Sequence, residues 1–301
     1  MLVFLGVPLA IYLVFVISPF VQAFYYSLTD WSGFTADMNV IGLGNYTNLV
    51  GDDIFLRAVR NNIILAIILP VVTIVLALAL ATMVTVGGST RGEVRGLRAA
   101  AFYRVVSFFP YTIPAIVIGL MWGLIYDPSN GLVNGILTGI GLDRFESYPW
   151  LGDSRTALGA TIFVMVWGFV GFYMVLFVAG IRGIPTDIFE AARLDGAGRL
   201  RTTILITLPL LRDNVQTAYI YLGIFALDGF TYMAAMNSGG GPDNSTLVMS
   251  QVLFRTAFTQ GKFGLASAMG VVMAGMTLLF SALVFATNRL AGGTDEKGGY
   301  T

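Results

Sequence analysis

Neither cysteine nor histidine occurs in the 301 residues. The first absence rules out disulfides and thiol nucleophiles; the second removes imidazole metal ligands and Ser-His-Asp chemistry. Charge is scarce as well. Asp, Glu, Lys and Arg make up 11% of the chain, against roughly 25% in soluble domains. The 17 basic and 17 acidic residues cancel, so no charge excess points to nucleic acid. The chain also lacks a G-x-x-x-x-G-K-[ST] stretch and therefore cannot cradle nucleotide phosphates in the P-loop manner. No paired carboxylates or metal cluster occur within the apolar runs, which argues against a membrane enzyme.

Apolar residues fill the space that charge leaves. They make up 56% of the chain, and mean hydropathy is +0.79. A spanning helix needs about 20 mainly apolar residues, and six runs reach that length, near 2–28, 60–86, 99–126, 156–181, 210–236 and 263–290. The expected fold is an all-α integral membrane protein with six transmembrane helices in one domain over 1–301. Val21-Gln22-Ala23 looks like a signal-peptide cleavage site. No Lys or Arg precedes it, however, and the apolar run exceeds the usual 7–15 residues of a signal peptide, so the first run reads as a retained span. Pro8, Pro19, Pro70, Pro110 and Pro114 fall in or at the ends of spans, where neighbouring helices can satisfy the freed carbonyls.

The loops set an orientation. Arg91, Arg95 and Arg98 lie in the loop at 87–98, and Arg182, Arg193, Arg199, Arg201 and Arg212 in that at 182–212. The 29–59 loop sets Asp30, Asp37, Asp52 and Asp53 against Arg57; the 127–155 loop sets Asp127, Asp143, Glu146 and Asp153 against Arg144 and Arg155. Excess Lys and Arg mark cytoplasmic loops, so the two arginine-rich loops and both termini are expected in the cytoplasm.

The segment at 182–209 is polar between two apolar neighbours. Thr186 is an N-cap candidate, and Asp187 and Glu190 sit near the positive end of the helix dipole. Ile188, Ala191, Ala192 and Asp195 recur at helical spacing, and Gly196 after Asp195 is suited to a left-handed stop. A second short helix is expected at 198–206, with Pro209 opening the next span. Read alone, this is an amphipathic helix–turn–helix lying along the membrane surface.

The string Glu190-Ala191-Ala192, then Asp195-Gly196-Ala197, then Ile206-x-Leu208-Pro209 resembles the EAA loop of binding-protein-dependent ABC importer permeases. Three other stretches resemble the maltose/glycerol-phosphate-type (MalF-like) carbohydrate branch in order and spacing. They are Ile41-Gly42-Leu43-Gly44-Asn45-Tyr46 with Asp53, Phe55 and Asn62; Pro110 to Pro114 with Trp122 and Asp127 to Asn134; and Gly239-Gly240-Gly241-Pro242 with Thr256-Ala257-Phe258. Thr203 departs from the pattern, standing where that family often has an aromatic. The resemblance implies a type I ABC importer permease fold in a bacterial or archaeal cytoplasmic membrane. It implies that Glu190, Ala191, Ala192, Asp195, Gly196, Ile206 and Pro209 form coupling helices docking on a cytoplasmic ATPase. The implied partners are two copies of that ATPase, which bind ATP and Mg, a second homologous permease and an extracytoplasmic sugar-binding protein. No cofactor is implied in this chain itself, and membrane lipid surrounds it.

For a substrate path, Asp228 stands out as an ionisable residue inside the fifth apolar run, since such residues usually face a cavity or a partner. It reads either as an acceptor for sugar hydroxyls or as a structural acid paired with a neighbouring helix. Trp167, Phe172 and Tyr173 either stack on sugar faces or pack between helices. A proton-coupled secondary transporter is the rival class. Such proteins usually show internal repeats and several intramembrane charges, whereas here Asp228 stands nearly alone and six spans are too few for most such folds. A glycerol-phosphate permease is the rival within the family; the spans have almost no Arg or Lys to meet a phosphate, which favours neutral saccharides.

Overall fold

The computed structural model describes residues 2–35, 37–85 and 100–292. The arginine-bearing loop at 87–98 lies outside the described residues. Four helices are long and apolar enough to cross a membrane: Phe4–Tyr26, Asp53–Thr85, Ala157–Arg182 and Phe263–Thr287. Two bent pairs, Ala101–Thr112 with Ala115–Ile125 and Arg212–Asp228 with Phe230–Met236, bring the spans to six. The expected number is met, but the third and fifth spans are broken, by 98° and 48°.

The third span breaks at proline. Pro114 disfavours helical backbone in the residue before it, and Ile113 is extended at φ −85°, ψ 133°. The fifth breaks at Gly229, whose φ of 56° lies in the left-handed region that glycine enters without strain. Two boundaries also move. The second span starts at Asp53, because Asp52 Oδ1 accepts the N–H groups of Ile54 and Phe55 at 2.9 and 3.3 Å. Asp53 and Phe55 therefore belong to this span and not to a loop. The fifth span opens at Arg212, not at Pro209, which sits inside the short helix Leu208–Leu210.

The second span is central, packing along the fourth and the fifth. Their contact is lined by Leu65, Leu69, Met165, Phe177 and Leu222, and by the fully buried small residues Ala77, Ala81, Ala218 and Ala226. In lipid, helices associate by close packing more than by hydrophobic exclusion, and small residues permit it. The first span contributes little to this core. No residue of its apolar stretch is buried, and it meets the bundle through Ser18–Tyr26 on the last span. Beyond it Tyr26 stacks on Trp31 at 4.3 Å, and the Asn45 amide donates to the carbonyls of Ser27 and Thr29. In the same loop the Asn39 side-chain and backbone N–H groups bond Asp30 and hold its carboxyl below the usual range.

Candidate functional site

Between the fourth and fifth spans the chain forms a hairpin. Its first helix, Thr186–Leu194, starts one residue after Pro185, whose φ of −53° and ψ of 134° make it the cap. Thr186 is thus the first helical residue and makes no capping bond, contrary to the sequence expectation. The stop at Asp195-Gly196 is as expected. Gly196 has φ +75°, its N–H donates to the Arg193 carbonyl at 3.0 Å, and the Ala197 N–H donates to the Ala192 carbonyl at 2.9 Å. Those two bonds form a Schellman motif, which satisfies the last carbonyls of the helix.

The residues read as one face divide. Ala192 and Phe189 turn inward, with Phe189 only 6% exposed and joined to the core cluster of Phe177, Ile181 and Leu211. Glu190, Ala191, Asp195 and Gly196 are exposed together with Ile188. Leu194 projects at 90% exposure. After Gly198 the chain turns helical again over Arg199–Thr202, passes through a wider π turn at Thr203–Thr207 and ends at Leu208–Leu210. Ile206 is half-buried there and Pro209 exposed. Thr203 begins the π turn with its hydroxyl on the Arg199 carbonyl at 2.9 Å. The hairpin is thus an exposed knob of mixed polar and apolar residues on an apolar root that ties it to the bundle.

The second feature is the polar staple at the fifth-span break. Breaking a helix inside a membrane frees carbonyls that water cannot reach. Three successive carbonyls are met by neighbours. The Asn62 side-chain amide donates to Ala226 and Leu227 at 3.0 and 2.8 Å, and the Ser250 hydroxyl donates to Asp228 at 2.5 Å. Asn62 Oδ1 accepts the Met249 N–H at 2.8 Å, so its amide is used on both sides. One residue earlier, Asn61 donates to the carbonyls of Asn244 and Leu247. Arg57, a turn before that, donates to the Asp243 carbonyl. A single face of the second span therefore holds both the break and the segment that follows it.

Aromatic rings join the two breaks. Tyr111, at the third-span break, stacks on Phe172 at 4.5 Å. Phe169, one turn before Phe172, meets Phe225 edge-on at 4.7 Å, and Phe225 and Tyr232 flank Gly229. Beyond the breaks the half-helices Ala115–Ile125 and Phe230–Met236 pack together.

The sequence-selected aromatics do not form one surface. Phe172 belongs to the ring chain, and Tyr173 is buried edge-on against it. Trp167 instead meets Trp122 and lines a separate 340 Å³ groove with Val72, Leu76 and Phe163. Asp228 is the last residue before Gly229, with its side chain exposed in this single chain. Sequence reasoning missed Phe169, Phe225 and the stapling role of Asn62. Two adjacent asparagines in an apolar helix were a readable signal for the last.

A family model described as the binding-protein-dependent transport system inner membrane component matches residues 83–292. The diacetylchitobiose uptake system permease protein NgcF of Streptomyces coelicolor is 58% identical over 292 residues, covering 97% of this chain and 83% of that protein. The xylose/arabinose import permease protein XacH of Haloferax volcanii is 30% identical over 274 residues, covering 91% and 83%. Among solved structures, a chain of a bacterial alginate ABC transporter in complex with an alginate pentasaccharide-bound periplasmic protein superposes with TM-score 0.80. It is 20% identical and covers 96% of this chain and 93% of that one.

Proposed function

Because the chain belongs to the binding-protein-dependent transport system inner membrane components, we propose that it is the permease subunit of an ATP-driven saccharide importer, coupled to its motor through the hairpin at 182–209. The observation that carries the coupling is the exposed, Schellman-capped knob of Glu190, Ala191, Asp195 and Gly196 on its Phe189 root. A chain without a P-loop takes its energy from a partner, and such a knob suits a groove on a cytoplasmic ATPase that holds ATP and Mg. Two ATPase copies would serve this chain and a second permease, with an external binding protein delivering the cargo. The hairpin arginines and the acidic loops at 29–59 and 127–155 support an orientation with the hairpin and both termini in the cytoplasm.

Closure of the motor on ATP would then move the hairpin, and through Phe189 the packed spans, between inward-open and outward-open arrangements. The cargo proposed is a short neutral saccharide. Relatives named for diacetylchitobiose and for pentoses support that class, and the 58% identity makes an N-acetylated disaccharide the first to test. Asp228, beside the fifth-span break, would accept sugar hydroxyls, and Phe172 with Phe169 would offer ring faces to the apolar side of a pyranose.

The test is to purify the chain from its native membrane, identify the accompanying ATPase, permease and binding protein, and measure ATP-dependent uptake of labelled diacetylchitobiose in vesicles. Uptake without a nucleotide-hydrolysing partner would refute the coupling. Asp228→Ala is expected to lower uptake about tenfold at subsaturating cargo, the scale of one charged hydrogen bond. Unchanged uptake in that variant would make Asp228 a structural acid.

A further inference from the structure

A groove of about 730 Å³ opens between the second, fifth and sixth spans. Ile67 lines it from the second span, Val215 and Leu227 from the fifth, and Leu279 and Leu283 from the sixth. Tyr219 stacks on Phe280 at 5.7 Å within it. Among the described residues of the lining, Arg212 is the charged one, and it stands at the groove's end, where the fifth span begins beside the hairpin. From Arg212 to Leu227 the groove follows the helix for about 22 Å. One leaflet's hydrocarbon is about 15 Å deep, so the groove takes a full acyl chain when a lipid headgroup sits at Arg212.

We propose that this groove binds an anionic glycerophospholipid of the leaflet on the hairpin side, with one acyl chain along the apolar walls and the headgroup phosphate on Arg212. Three observations choose this occupant over a partner helix. The walls are mostly large branched or aromatic side chains, whereas helices that seat another helix closely expose small ones. The cation lies at the end of the groove, where the fifth span begins, and not along it. Arg182, Arg199 and Arg201 belong to the same hairpin region, so anionic headgroups collect there; the exposed Asp213, the acid next to Arg212, is not part of the lining. Bound lipid would fill the seam between the fifth and sixth spans and link their movement to that of the hairpin. This site is independent of the cargo.

The chain, purified with its transport partners, is equilibrated with phosphatidylglycerol or phosphatidylcholine, and retained lipid is counted by native mass spectrometry. Wild type is expected to retain phosphatidylglycerol preferentially. Arg212→Gln should lower that preference about fivefold, Arg212→Lys should keep it, and Leu283→Trp should lose both lipids. Equal retention of the two lipids by wild type, or undiminished retention in a folded Leu283→Trp, overturns the proposal. A photoreactive group at Val284 in an otherwise wild-type chain gives a test free of folding effects. Cross-linking to phospholipid supports the proposal; cross-linking to another permease chain or to saccharide overturns it.

Discussion

Replacing Gly196 by proline is expected to reduce ATP-dependent uptake to background while the chain still inserts in the membrane in normal amount. The helix Thr186–Leu194 ends because Gly196 takes φ +75°, and proline is locked near −65°. Proline also removes the N–H that bonds the Arg193 carbonyl. Without that stop the helix loses its Schellman motif and the knob changes direction, although Phe189 still anchors the root. Bulk is not the objection, since a Cβ at this position would meet nothing within 4 Å. The variants should therefore rank by backbone freedom. Gly196→Asn should keep most activity, Gly196→Ala should pay about 1–2 kcal/mol for the left-handed backbone, and Gly196→Pro should be inactive. Glu190→Lys should also be inactive, through reversed charge on the exposed docking face and not through a changed fold. The readouts are uptake, ATPase activity stimulated by loaded binding protein, and the quantity of chain in the membrane. Normal uptake by Gly196→Pro and Glu190→Lys would remove the hairpin from the coupling path.

The knob's position and its stop were legible because both are local. Glycine after Asp195 at the end of a helical pattern needs no distant partner to act. The six spans were legible for a similar reason: length and apolarity are properties of one segment. The breaks were not. Ile113-Pro114 and Gly229 each sit among apolar residues, and a span that bends by 98° there has the same composition as a straight one. What separates the two outcomes is the neighbour that takes up the freed carbonyls, and Asn62 lies 164 and 165 residues from those it serves. Thr186 was misjudged because its residue type suits a cap, while the backbone of Pro185 had already turned before it. The aromatics were chosen by kind, and helix geometry sorts them by face. At 3.6 residues per turn Phe169 and Phe172 lie on one side and Trp167 on another, as their contacts show.

Asn62→Leu is expected to be the most damaging single change within the spans. Its amide makes three bonds to backbone in a buried place: two donated to Ala226 and Leu227, one accepted from Met249. Leucine has the same branched outline but meets none of these groups, and each buried backbone group left unpaired costs about 1–3 kcal/mol. Neither lipid nor neighbouring apolar side chains can replace the lost partner. The fifth span would then tend to straighten, recovering helical bonds at the expense of the left-handed Gly229, and Asp228 would leave its place. Uptake should fall to background and the melting temperature in detergent should drop. Asn62→Asp weakens one half of the staple: an anion buried there without a cation is costly, and the neutral carboxyl accepts from Met249 but has one proton for the two carbonyls. It should lie between wild type and leucine in both stability and uptake, if the donated bonds hold the break open. Asn61→Leu provides the comparison. It loses bonds to Asn244 and Leu247, beyond the break, and should loosen that segment with a smaller loss of transport. Equal effects at positions 61 and 62, or a wild-type melting temperature in Asn62→Leu, would mean that the break is held by packing and that the staple is incidental to it.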